Sequence, residues 1–461
     1  MNEQKSIILH VSTNTFFNTL FLYAKKLSAQ DFYPVMYFDN QYPTLEEDLQ
    51  KLHSDNISYE LDFPITFTKP KNYLRKLLLV FIKIIKRIDF FFFNGLFFEL
   101  ARHKSKYKKI KTIFRKGKIQ YVLMISDLVQ YDTGLIIKAA HKENIKVVIL
   151  PLFAANYKEA AEHNYYNRSL EVSEWNFQLF FKISWLKKWL IHFKGRYMIR
   201  LPLYKIIIKE LFKIAPENPW IINTGGADAM ILESRAVKRL FVNAHPYENV
   251  KIEILGSVNL DIIYHSIKAK KQLINELIKN QKLDSSKRNA LVAVPPDMHS
   301  SRGLKSDFSS YTDLLEFWLS CTKILSGYNI ILSLHPSSTL EERYFFVDRG
   351  FNIIDKPTVM YIGLFDLYIA SVSATIQWAI ACGIPVINYD VYRYDYDDYK
   401  QLDAVLNTDC KQEFRNILKQ LNSYNKLEIL KEKQSKIAGD WGILDGNSSL
   451  RIVNFFARNL N

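Results

Sequence analysis

Two short polar turns carry residue types that could bind a phosphate group. The first turn, HPSS at 335–338, follows the apolar run Ile330–Leu334, and the second, SVSAT at 371–375, follows the apolar run Leu364–Ala370. Hydroxyl groups and the free backbone N–H groups of a helix N-terminus together form an anion site, and a histidine can donate to a phosphate or ribose oxygen. The candidate ligand-binding residues of these turns are His335, Pro336, Ser337, Ser338, Ser371, Ser373 and Thr375.

The elements around these turns determine where they lie. After the second turn, Ile376–Cys382 has helical spacing, Gly383 ends that helix, and Pro385–Asn388 is a third apolar run. Strand, turn, helix, glycine and strand in this order predict a parallel βαβ unit. Ligands of such sheets bind beyond the carboxyl ends of the strands, where both turns fall. Helix-capping serines and a turn histidine are the alternative interpretation of the same residues.

The alternation of strands and helices extends over most of the chain and predicts the α/β class, with two Rossmann-like domains facing a cleft. A strand at Ile221–Asn223 and a helix over Ala229–Val242 form one such unit, and Ala290–Val294 opens the second domain. A chain of 461 residues is long enough for two or three domains. The predicted segments are an N-terminal domain at 1–257, a linker at 258–288, a C-terminal ligand-binding domain at 289–440 and a last helix at 441–461 that crosses back to the first domain.

Carboxylates in the first half of the chain are the candidate general bases, which would deprotonate a hydroxyl group. Asp127 directly follows the strand predicted at Tyr121–Ile125, so we expect it to face the cleft. Asp132 is the second candidate, and it could equally cap the helix that begins at Thr133. The fallback bases in the loop after the next strand are Glu159, Glu162 and His163.

Three further residues are candidates for ligand contact. Gly225 could let the backbone approach a ligand, or could simply form a turn. Pro296 lies in the long polar loop after Ala290–Val294, and Tyr389 directly follows the third apolar run. The acidic, tyrosine-rich loop beyond Tyr389 invites a DxD-like metal site, but such loops are more often solvated, so we expect no metal ion. The acidic residues concerned are Asp395, Asp397 and Asp398.

The composition is that of an ordinary globular protein with an excess of positive charge. The hydrophobic fraction is 48%, the charged fraction is 24% and the formal net charge is +15. Three cysteines without a CxxC pair predict neither a disulfide framework nor a zinc site, and they favour a reducing cytoplasm. The apolar run near the N-terminus is too short for a secretory signal, so we expect the chain to start inside its first domain.

Two basic-aromatic segments, at 71–118 and 176–214, hold the excess charge. The first contains fifteen Lys or Arg against two acidic residues, and the second contains nine against one. The longest uncharged run of the first, Phe90–Phe98, is far shorter than the roughly 20 apolar residues that span a bilayer. Basic residues alternating with Phe and Leu favour helices on an anionic membrane surface, and a solvated face on a core helix is the alternative. No nucleic-acid motif accompanies the charge, so we expect no nucleic-acid partner.

These motifs resemble the C-terminal domain of GT-B glycosyltransferases. The resemblance rests on IEILGSVNLD at 252–261, ASVSATIQWAIACGIPVINYD at 370–390 and ILDGNSSLRIVNF at 443–455, and it covers roughly the last 240 residues. The chain is especially similar to bacterial enzymes with an HP motif and a downstream Ser/Thr motif. These are the sialyltransferases, polysialyltransferases and Kdo transferases of capsule and lipopolysaccharide biosynthesis. The general sequence pattern of the chain is also similar to that of UDP-N-acetylglucosamine 2-epimerases and teichoic-acid glycerophosphotransferases.

The resemblance implies an inverting, metal-independent glycosyltransferase with no cofactor besides its nucleotide-sugar substrate. In HP-motif sialyltransferases the motif binds CMP, which implies that role for His335 and Pro336 and favours a CMP-activated nonulosonic acid or Kdo as donor. The acidic motif that supplies the base in those enzymes is not reproduced here, because Thr133 replaces an acid between Asp132 and Gly134.

Three alternatives stay open beside this hypothesis. They are a transferase that uses a UDP-sugar, a UDP-HexNAc 2-epimerase of the same fold, and a non-catalytic assembly protein at the membrane. For a transferase, we expect a glycan or lipid-linked oligosaccharide as acceptor. We also expect an anionic membrane surface as partner, with the protein cytoplasmic and peripheral at the inner membrane.

Overall fold

The strands form two parallel sheets and one hairpin in the computed structural model, which describes residues 5–63, 95–151, 158–173, 178 and 180–458. The first sheet contains β1 (Lys5–Val11), β2 (Phe32–Phe38), β3 (Ser58–Leu61), β4 (Ile119–Met124), β5 (Lys146–Ile149), β8 (Ala229–Leu232) and β9 (Lys251–Ile254). The hairpin consists of β6 (Leu190–Phe193) and β7 (Arg196–Ile199). The second sheet contains β10 (Arg288–Ala293), β11 (Tyr328–Ser333), β12 (Asn352–Ile353), β13 (Leu367–Ala370), β14 (Val386–Tyr389) and β15 (Val405–Thr408).

Helices connect these strands, and we number those of the described residues in chain order. The first ten are α1 (Asn14–Ser28), α2 (Leu45–Ser54), α3 (Leu96–Lys116), α4 (Thr133–Lys142), α5 (Glu159–Tyr165), α6 (Ser184–Lys187), α7 (Leu203–Leu211), α8 (Arg235–Ala244), α9 (Val258–Lys268) and α10 (Lys270–Gln281). The others are α11 (His299–Arg302), α12 (Tyr311–Thr322), α13 (Leu340–Val347), α14 (Ile376–Ala381), α15 (Lys411–Gln420), α16 (Tyr424–Trp441) and α17 (Ser448–Arg458).

The two sheets share one strand order. The first runs β3-β2-β1-β4-β5-β8-β9 and the second runs β12-β11-β10-β13-β14-β15, and neighbouring strands are parallel in both. The order reverses between β1 and β4 in the first sheet and between β10 and β13 in the second. Ligands of doubly wound sheets bind outside the carboxyl ends of the strands at such a reversal. The predicted α/β class with two Rossmann-like domains is therefore confirmed.

Apolar strand residues are buried on both faces of each sheet, as parallel sheets require. In β1, Leu9 packs in the cluster that includes α1, whereas its neighbour Ile8 packs with α3 and α4 on the opposite face. In the second sheet, the rings of Trp318, Tyr389 and Phe414 stack on one another. These packed layers position the carboxyl ends of the strands.

The last helix, α17, packs against the first sheet. Its residue Phe456 is fully buried, and its ring lies 5.2 Å from that of Tyr121 in β4. Both carboxylate oxygens of Asp261 accept backbone N–H groups at the start of α17, from Ser448 at 2.8 Å and Ser449 at 2.7 Å. The end of the chain thereby completes the core of the first half, while the segment boundaries given above stay predictions.

One unit of the first half differs from its prediction. The strand expected at Ile221–Asn223 does not form. These residues lie in a turn, in which Asn223 adopts a positive φ angle of 63°. Strand β8 instead occupies Ala229–Leu232, where we expected a helix. A run of four buried apolar residues fits either element, so the periodicity alone did not decide.

The second basic-aromatic segment is not wholly helical. It contains the hairpin β6–β7, whose turn residues Lys194 and Gly195 have φ angles of 48° and 78°. Two successive residues with positive φ match the tight turns that join antiparallel strands. The part of the first basic-aromatic segment that precedes residue 95 lies outside the described residues.

Candidate functional site

The two predicted phosphate turns lie on either side of β10, at the reversal of the second sheet. Strands β11 and β13 both pair with β10, and HPSS follows β11 whereas SVSAT follows β13. Pro296 follows β10 itself, and its carbonyl accepts the hydroxyl of Tyr392 at 3.2 Å. The structure thus brings the ligand-binding candidates of three strands to one edge of the sheet.

His335 presents one ring nitrogen for an external contact. Its Nδ1 accepts the backbone N–H of Ser337 at 3.2 Å and lies 2.7 Å from the Ser337 hydroxyl oxygen. An accepting Nδ1 places the ring proton of a neutral imidazole on Nε2, which can donate to an anion. The residue is exposed. The helix beyond it is not capped by Ser337 or Ser338, because Thr339 and Glu342 form a capping box there.

The SVSAT turn is strained and held by side chains. Val372 has a φ angle of 47°, an uncommon conformation for a β-branched residue, and its N–H donates to Asn388 Oδ1 at 2.9 Å. The hydroxyl oxygens of Ser373 and Thr375 lie 2.7 Å apart, and the Ser371 hydroxyl accepts the N–H of Val391 at 3.4 Å. Strain of this kind persists only where neighbours enforce it, and it is frequent at ligand sites.

Tyr389 does not belong to this edge. Its ring is 1% exposed and stacks against Phe414, with the ring centroids 4.6 Å apart. A side chain at the end of a strand alternates between the two faces, and here it points into the core. The expected sugar contact of the Tyr389 ring is therefore corrected to a packing role.

Asp127 and Gly225 form a contact with each other. The Asp127 carboxylate accepts the backbone N–H groups of Asn223, at 2.5 Å, and of Gly225. Burial raises the pKa of Asp127 to about 6, although these N–H groups act in the opposite direction. A Cβ on residue 225 would lie 2.5 Å from Asp127 Oδ2. Both residues thus fix a buried loop, and this geometry argues against Asp127 as the base and against Gly225 as a ligand contact.

Asp132 is bound to helix α3. Arg102 donates to both of its oxygens, at 2.6 and 3.2 Å, and Lys106 Nζ lies 2.9 Å from Oδ2. Burial alone would raise the pKa of Asp132, but Arg102 and Lys106 hold it well below its usual range. A carboxylate with so low a pKa is a poor base. Its side chain makes no capping bond to α4 either.

Helix α5 carries the fallback bases in different surroundings. His163 and Glu159 are exposed, whereas Glu162 is 1% exposed. Glu162 Oε2 accepts Arg302 Nη2 of the second half of the chain at 2.7 Å, and its other oxygen pairs with Lys194. The structure therefore places Glu162 in a contact between the two sheets, away from a role as a free base.

The acidic loop after β14 is engaged in ion pairs. Asp397 pairs with Lys158 at 2.8 Å and with Lys400 at 3.0 Å, and Asp395 pairs with Lys400 at 2.5 Å. No group of three His, Cys, Asp or Glu side chains among the described residues is arranged to hold a metal ion. Within the same residues, no helix combines the length and the apolarity that crossing a membrane requires.

Solved structures with the same arrangement of two sheets exist, although no family model and no curated protein matches the sequence. A candidate UDP-N-acetylglucosamine 2-epimerase from Listeria monocytogenes is 12% identical and matches 99% of this chain and 97% of its own, with a TM-score of 0.54. The UDP-GlcNAc 2-epimerase from Neisseria meningitidis, bound to UDP-GlcNAc, is 14% identical over 98% and 100%, with a TM-score of 0.52. The wall teichoic acid polymerase TagF, soaked with CDPG, is 13% identical over 99% and 89%, with a TM-score of 0.51. The chain has the GT-B fold.

In this GT-B fold, the sequence did not reveal Glu233. This residue follows β8 and is fully buried, and its Oε2 accepts Gln377 Nε2 at 3.0 Å and Trp378 Nε1 at 3.3 Å from helix α14. Burial raises the pKa of Glu233 to about 7. It was missed because β8 was predicted as a helix, although an acid directly after four apolar residues is the same signal that selected Asp127.

Proposed function

We propose that the protein is a glycosyltransferase that binds a nucleotide-activated sugar in the cleft between its two sheets. The observation that carries this proposal is the pair of polar turns on either side of β10. His335 Nε2 and the hydroxyls of Ser371, Ser373 and Thr375 offer hydrogen-bond donors at the reversal of the second sheet, where α/β proteins bind nucleotides. Such donors stabilise the charge that develops on a leaving phosphate.

We infer that the donor carries a pyrimidine nucleoside diphosphate. The solved structures of this fold reported above hold UDP-GlcNAc and CDPG, which both contain a diphosphate. The alternative is the CMP-activated donor that the HP motif favours, which has a single phosphate. Thermal unfolding in the presence of UDP, CDP and CMP separates these donors, since only a ligand of the folded state raises the unfolding midpoint.

We propose His163 as the base that activates the acceptor hydroxyl. It is exposed on α5, and no side chain of the described residues forms a hydrogen bond or ion pair with it. Asp127 and Asp132 are both engaged by other groups, as described above. Replacing His163 by Gln should lower kcat by about 100-fold, within the range of lost general-base catalysis, while the affinity for UDP stays unchanged. An unchanged kcat would eliminate this assignment.

A second candidate, a UDP-HexNAc 2-epimerase, is favoured by the full-length coverage of the Neisseria epimerase. Epimerisation needs no acceptor, so incubation with UDP-GlcNAc alone distinguishes it from transfer. Appearance of the 2-epimer without added acceptor would support the epimerase. Binding of UDP-GlcNAc without epimerisation would favour the transferase. Failure of every tested nucleotide to bind would leave the non-catalytic assembly protein.

We further propose that the second basic-aromatic segment contacts an anionic membrane. Trp185 on α6 and Leu203 and Leu211 on α7 are 42%, 39% and 65% exposed, and the two helices share one hydrophobic cluster. Lys187 and Lys205 lie on the same helices. Apolar side chains beside lysines suit an anionic bilayer surface. Sedimentation with phosphatidylglycerol vesicles, but not phosphatidylcholine vesicles, is expected, and Trp185→Ala should weaken it; equal sedimentation with both lipids would contradict the proposal.

A further inference from the structure

Three basic side chains form a cluster where the two halves of the molecule meet. We call Lys194, Arg302 and Lys305 the cation cluster. Lys194 belongs to the turn of the hairpin β6–β7, whereas Arg302 ends α11 and Lys305 follows it in the loop after β10. The three positive charges therefore come from opposite sides of the cleft.

One buried carboxylate lies within this cluster. Glu162 accepts Arg302 Nη2 at 2.7 Å through one oxygen and pairs with Lys194 through the other. Glu162 and Arg302 are only 1% and 3% exposed. Both oxygens of the glutamate are thus occupied, and it neutralises a single charge.

The cluster contains more positive charge than the single carboxylate of Glu162 can neutralise. No carboxylate of the described residues lies within ion-pair distance of the Lys305 ammonium, and Arg302 Nη1 is buried without a hydrogen-bond partner among them. Burial, followed by the proximity of Lys305 and Arg302, lowers the pKa of Lys194 to about 7. Like charges this close are unfavourable unless an anion joins them.

Two further acids, Asp390 and Asp395, belong to the loop after β14. Asp395 interacts electrostatically with Lys194, but its carboxylate pairs with Lys400 at 2.5 Å. Asp390 lies close enough to Arg302 to interact electrostatically, but burial raises its pKa and its Oδ2 accepts the N–H of Asp395 at 2.8 Å. Its Oδ1 is buried without a partner among the described residues. Neither Asp390 nor Asp395 lies within ion-pair distance of a cation of the cluster, whose ion pairs within the described part of the chain are both with Glu162.

Aromatic rings surround the cluster. The guanidinium carbon of Arg302 lies 3.8 Å from the centroid of the Tyr394 ring, and the Lys305 ammonium lies 5.5 Å from that of Tyr165. A stacked guanidinium keeps its planar N–H groups in a fixed direction, which is the arrangement that recognises phosphate.

The cluster also lies on the ligand side of both sheets. Helix α5 follows β5, and the loops that carry Arg302 and Tyr394 follow β10 and β14. All three elements thus leave the carboxyl ends of parallel strands, which is the edge where ligands bind. The phosphate turns follow β11 and β13, which both pair with β10. The carboxyl end of the second sheet therefore carries two groups of anion donors, which are these turns and the Arg302 and Lys305 part of the cation cluster.

We infer that the cation cluster binds a phosphate or diphosphate group carried by the acceptor substrate. This inference rests on the proposed function, since it assigns the second group of anion donors to the second substrate. The acceptor is favoured over the donor as the source of the phosphate because the donor's phosphates are already assigned to the turns after β11 and β13. A lipid-linked or phosphorylated glycan has this chemistry.

Calorimetric titration of the whole protein with inorganic pyrophosphate, with and without saturating UDP, tests the inference. Without UDP, pyrophosphate can also bind the phosphate turns of the donor site. Saturating UDP blocks those turns, and we expect pyrophosphate binding at the cation cluster to persist under that condition. Lys305→Gln and Lys194→Gln should each weaken its binding by about tenfold, the usual scale for one charge-assisted hydrogen bond, without changing UDP affinity. Lys271→Gln, which removes an exposed charge on α10, is the matched control.

Each other outcome overturns a defined statement. Loss of all pyrophosphate binding when UDP is saturating would transfer the cluster to the donor site and refute the acceptor assignment. Absent binding, or binding that the Lys305 and Lys194 variants leave unchanged, would refute the site itself. Cluster-dependent pyrophosphate binding without any nucleotide binding would refute the proposed function and leave the phosphate site standing.

Glu162→Gln supplies a second test that loss of structure cannot imitate. The substitution keeps the side-chain volume and removes the carboxylate that competes for Arg302 and Lys194. We expect pyrophosphate affinity to rise by about tenfold, which corresponds to one fewer competing charge. A fall in pyrophosphate affinity, with the thermal midpoint retained, would refute this competition. It would show that Glu162 and the cations serve only the contact between the two halves of the chain.

Discussion

At the scale of single residues, the Asp127 carboxylate and the backbone N–H of Gly225 form a hydrogen bond that a side chain at position 225 would disturb. Replacing Asp127 by Ala leaves the buried N–H groups of Asn223 and Gly225 without their acceptor. We expect the free energy of unfolding to fall by about 2–4 kcal/mol, the cost of two unsatisfied buried donors. Urea unfolding of the purified variant measures this loss, and an unchanged midpoint would contradict the structural role.

Gly225→Ala tests the same contact from the other side. The added Cβ would lie 2.5 Å from Asp127 Oδ2, so the loop must shift, and we expect a loss of about 1–3 kcal/mol as for overpacking. Gly439→Ala is the matched control, because nothing lies within 4 Å of its Cβ and alanine favours the helix α16. Equal effects of the two substitutions on the urea midpoint would exclude a specific contact at Gly225.

Glu233 makes stability depend on pH. Since burial raises its folded pKa from the ordinary 4.5 to about 7, the folded state binds the proton more tightly than the unfolded state. Stability from this group is present below pH 4.5 and is lost as pH rises to about 7, by about 3 kcal/mol. Glu233→Gln should remove this decline in unfolding free energy, whereas Glu248→Gln, at an exposed position, should keep it. A wild-type and Glu233→Gln pair with the same pH profile would refute the assignment.

The sequence predicted positions of functional groups better than their roles. The position of Asp127 after a strand follows from the apolar run before it, but its hydrogen bonds depend on Asn223, which is distant in sequence. Tyr389 was placed correctly at the end of β14, and only the core packing of Phe414 against it decides its orientation. Roles that depend on partners far along the chain do not follow from local pattern.

At the level of elements, helix α3 uses its basic residues for internal ion pairs. Lys106 Nζ contacts Asp132 at 2.9 Å and lies 3.4 Å from carboxylate oxygens of both Asp39 and Asp62. These acids follow β2, β3 and β4, so one lysine joins the ends of three neighbouring connections. The described part of the first basic-aromatic segment therefore fits the core-helix alternative. The spacing of its basic residues did not predict this, because their acidic partners lie far away in the sequence.

Lys106→Met should destabilise the protein strongly. The substitution leaves buried carboxylates without their shared counter-charge, and breaking a buried ion pair costs about 3–5 kcal/mol. Lys104→Met on the same helix changes an exposed lysine and should alter stability by less than about 0.5 kcal/mol. Thermal unfolding followed by circular dichroism compares the two, and similar midpoints would show that the ion pairs contribute nothing.

Element boundaries were predictable where caps and turns are local. Helix α4 begins at Thr133 as expected, and α14 ends just before Gly383. The hairpin β6–β7 and strand β8 were not predictable, because strands of four residues have too few positions to show a period of two. Tertiary pairing selects the strand there, through β5 on one side and β9 on the other.

At the scale of the whole molecule, the two sheets are joined by contacts that come from distant parts of the chain. Glu233 meets helix α14, Glu162 meets Arg302, and helix α17 returns to the first sheet. Glu233 and Gln377 are 144 positions apart and Glu162 and Arg302 are 140 positions apart, while helix α17 contacts strand β4 through Phe456 and Tyr121. The GT-B arrangement therefore depends on contacts between distant parts of the chain, and the resemblance of the C-terminal motifs predicted it where periodicity could not.

The return of the last helix predicts that the C-terminus stabilises the N-terminal half. Phe456 is fully buried against Tyr121, and Phe456→Ala should lower the unfolding free energy by about 3–5 kcal/mol, as large-to-small core substitutions do. Leu450→Ala on the same helix is the control, because Leu450 is 48% exposed and should cost less than about 1 kcal/mol. Hydrogen exchange locates the effect: amides of β1 and β4 should lose protection in Phe456→Ala, while those of β10 and β13 keep it. Loss of protection confined to α17 itself would mean that the helix only covers the first sheet without stabilising it.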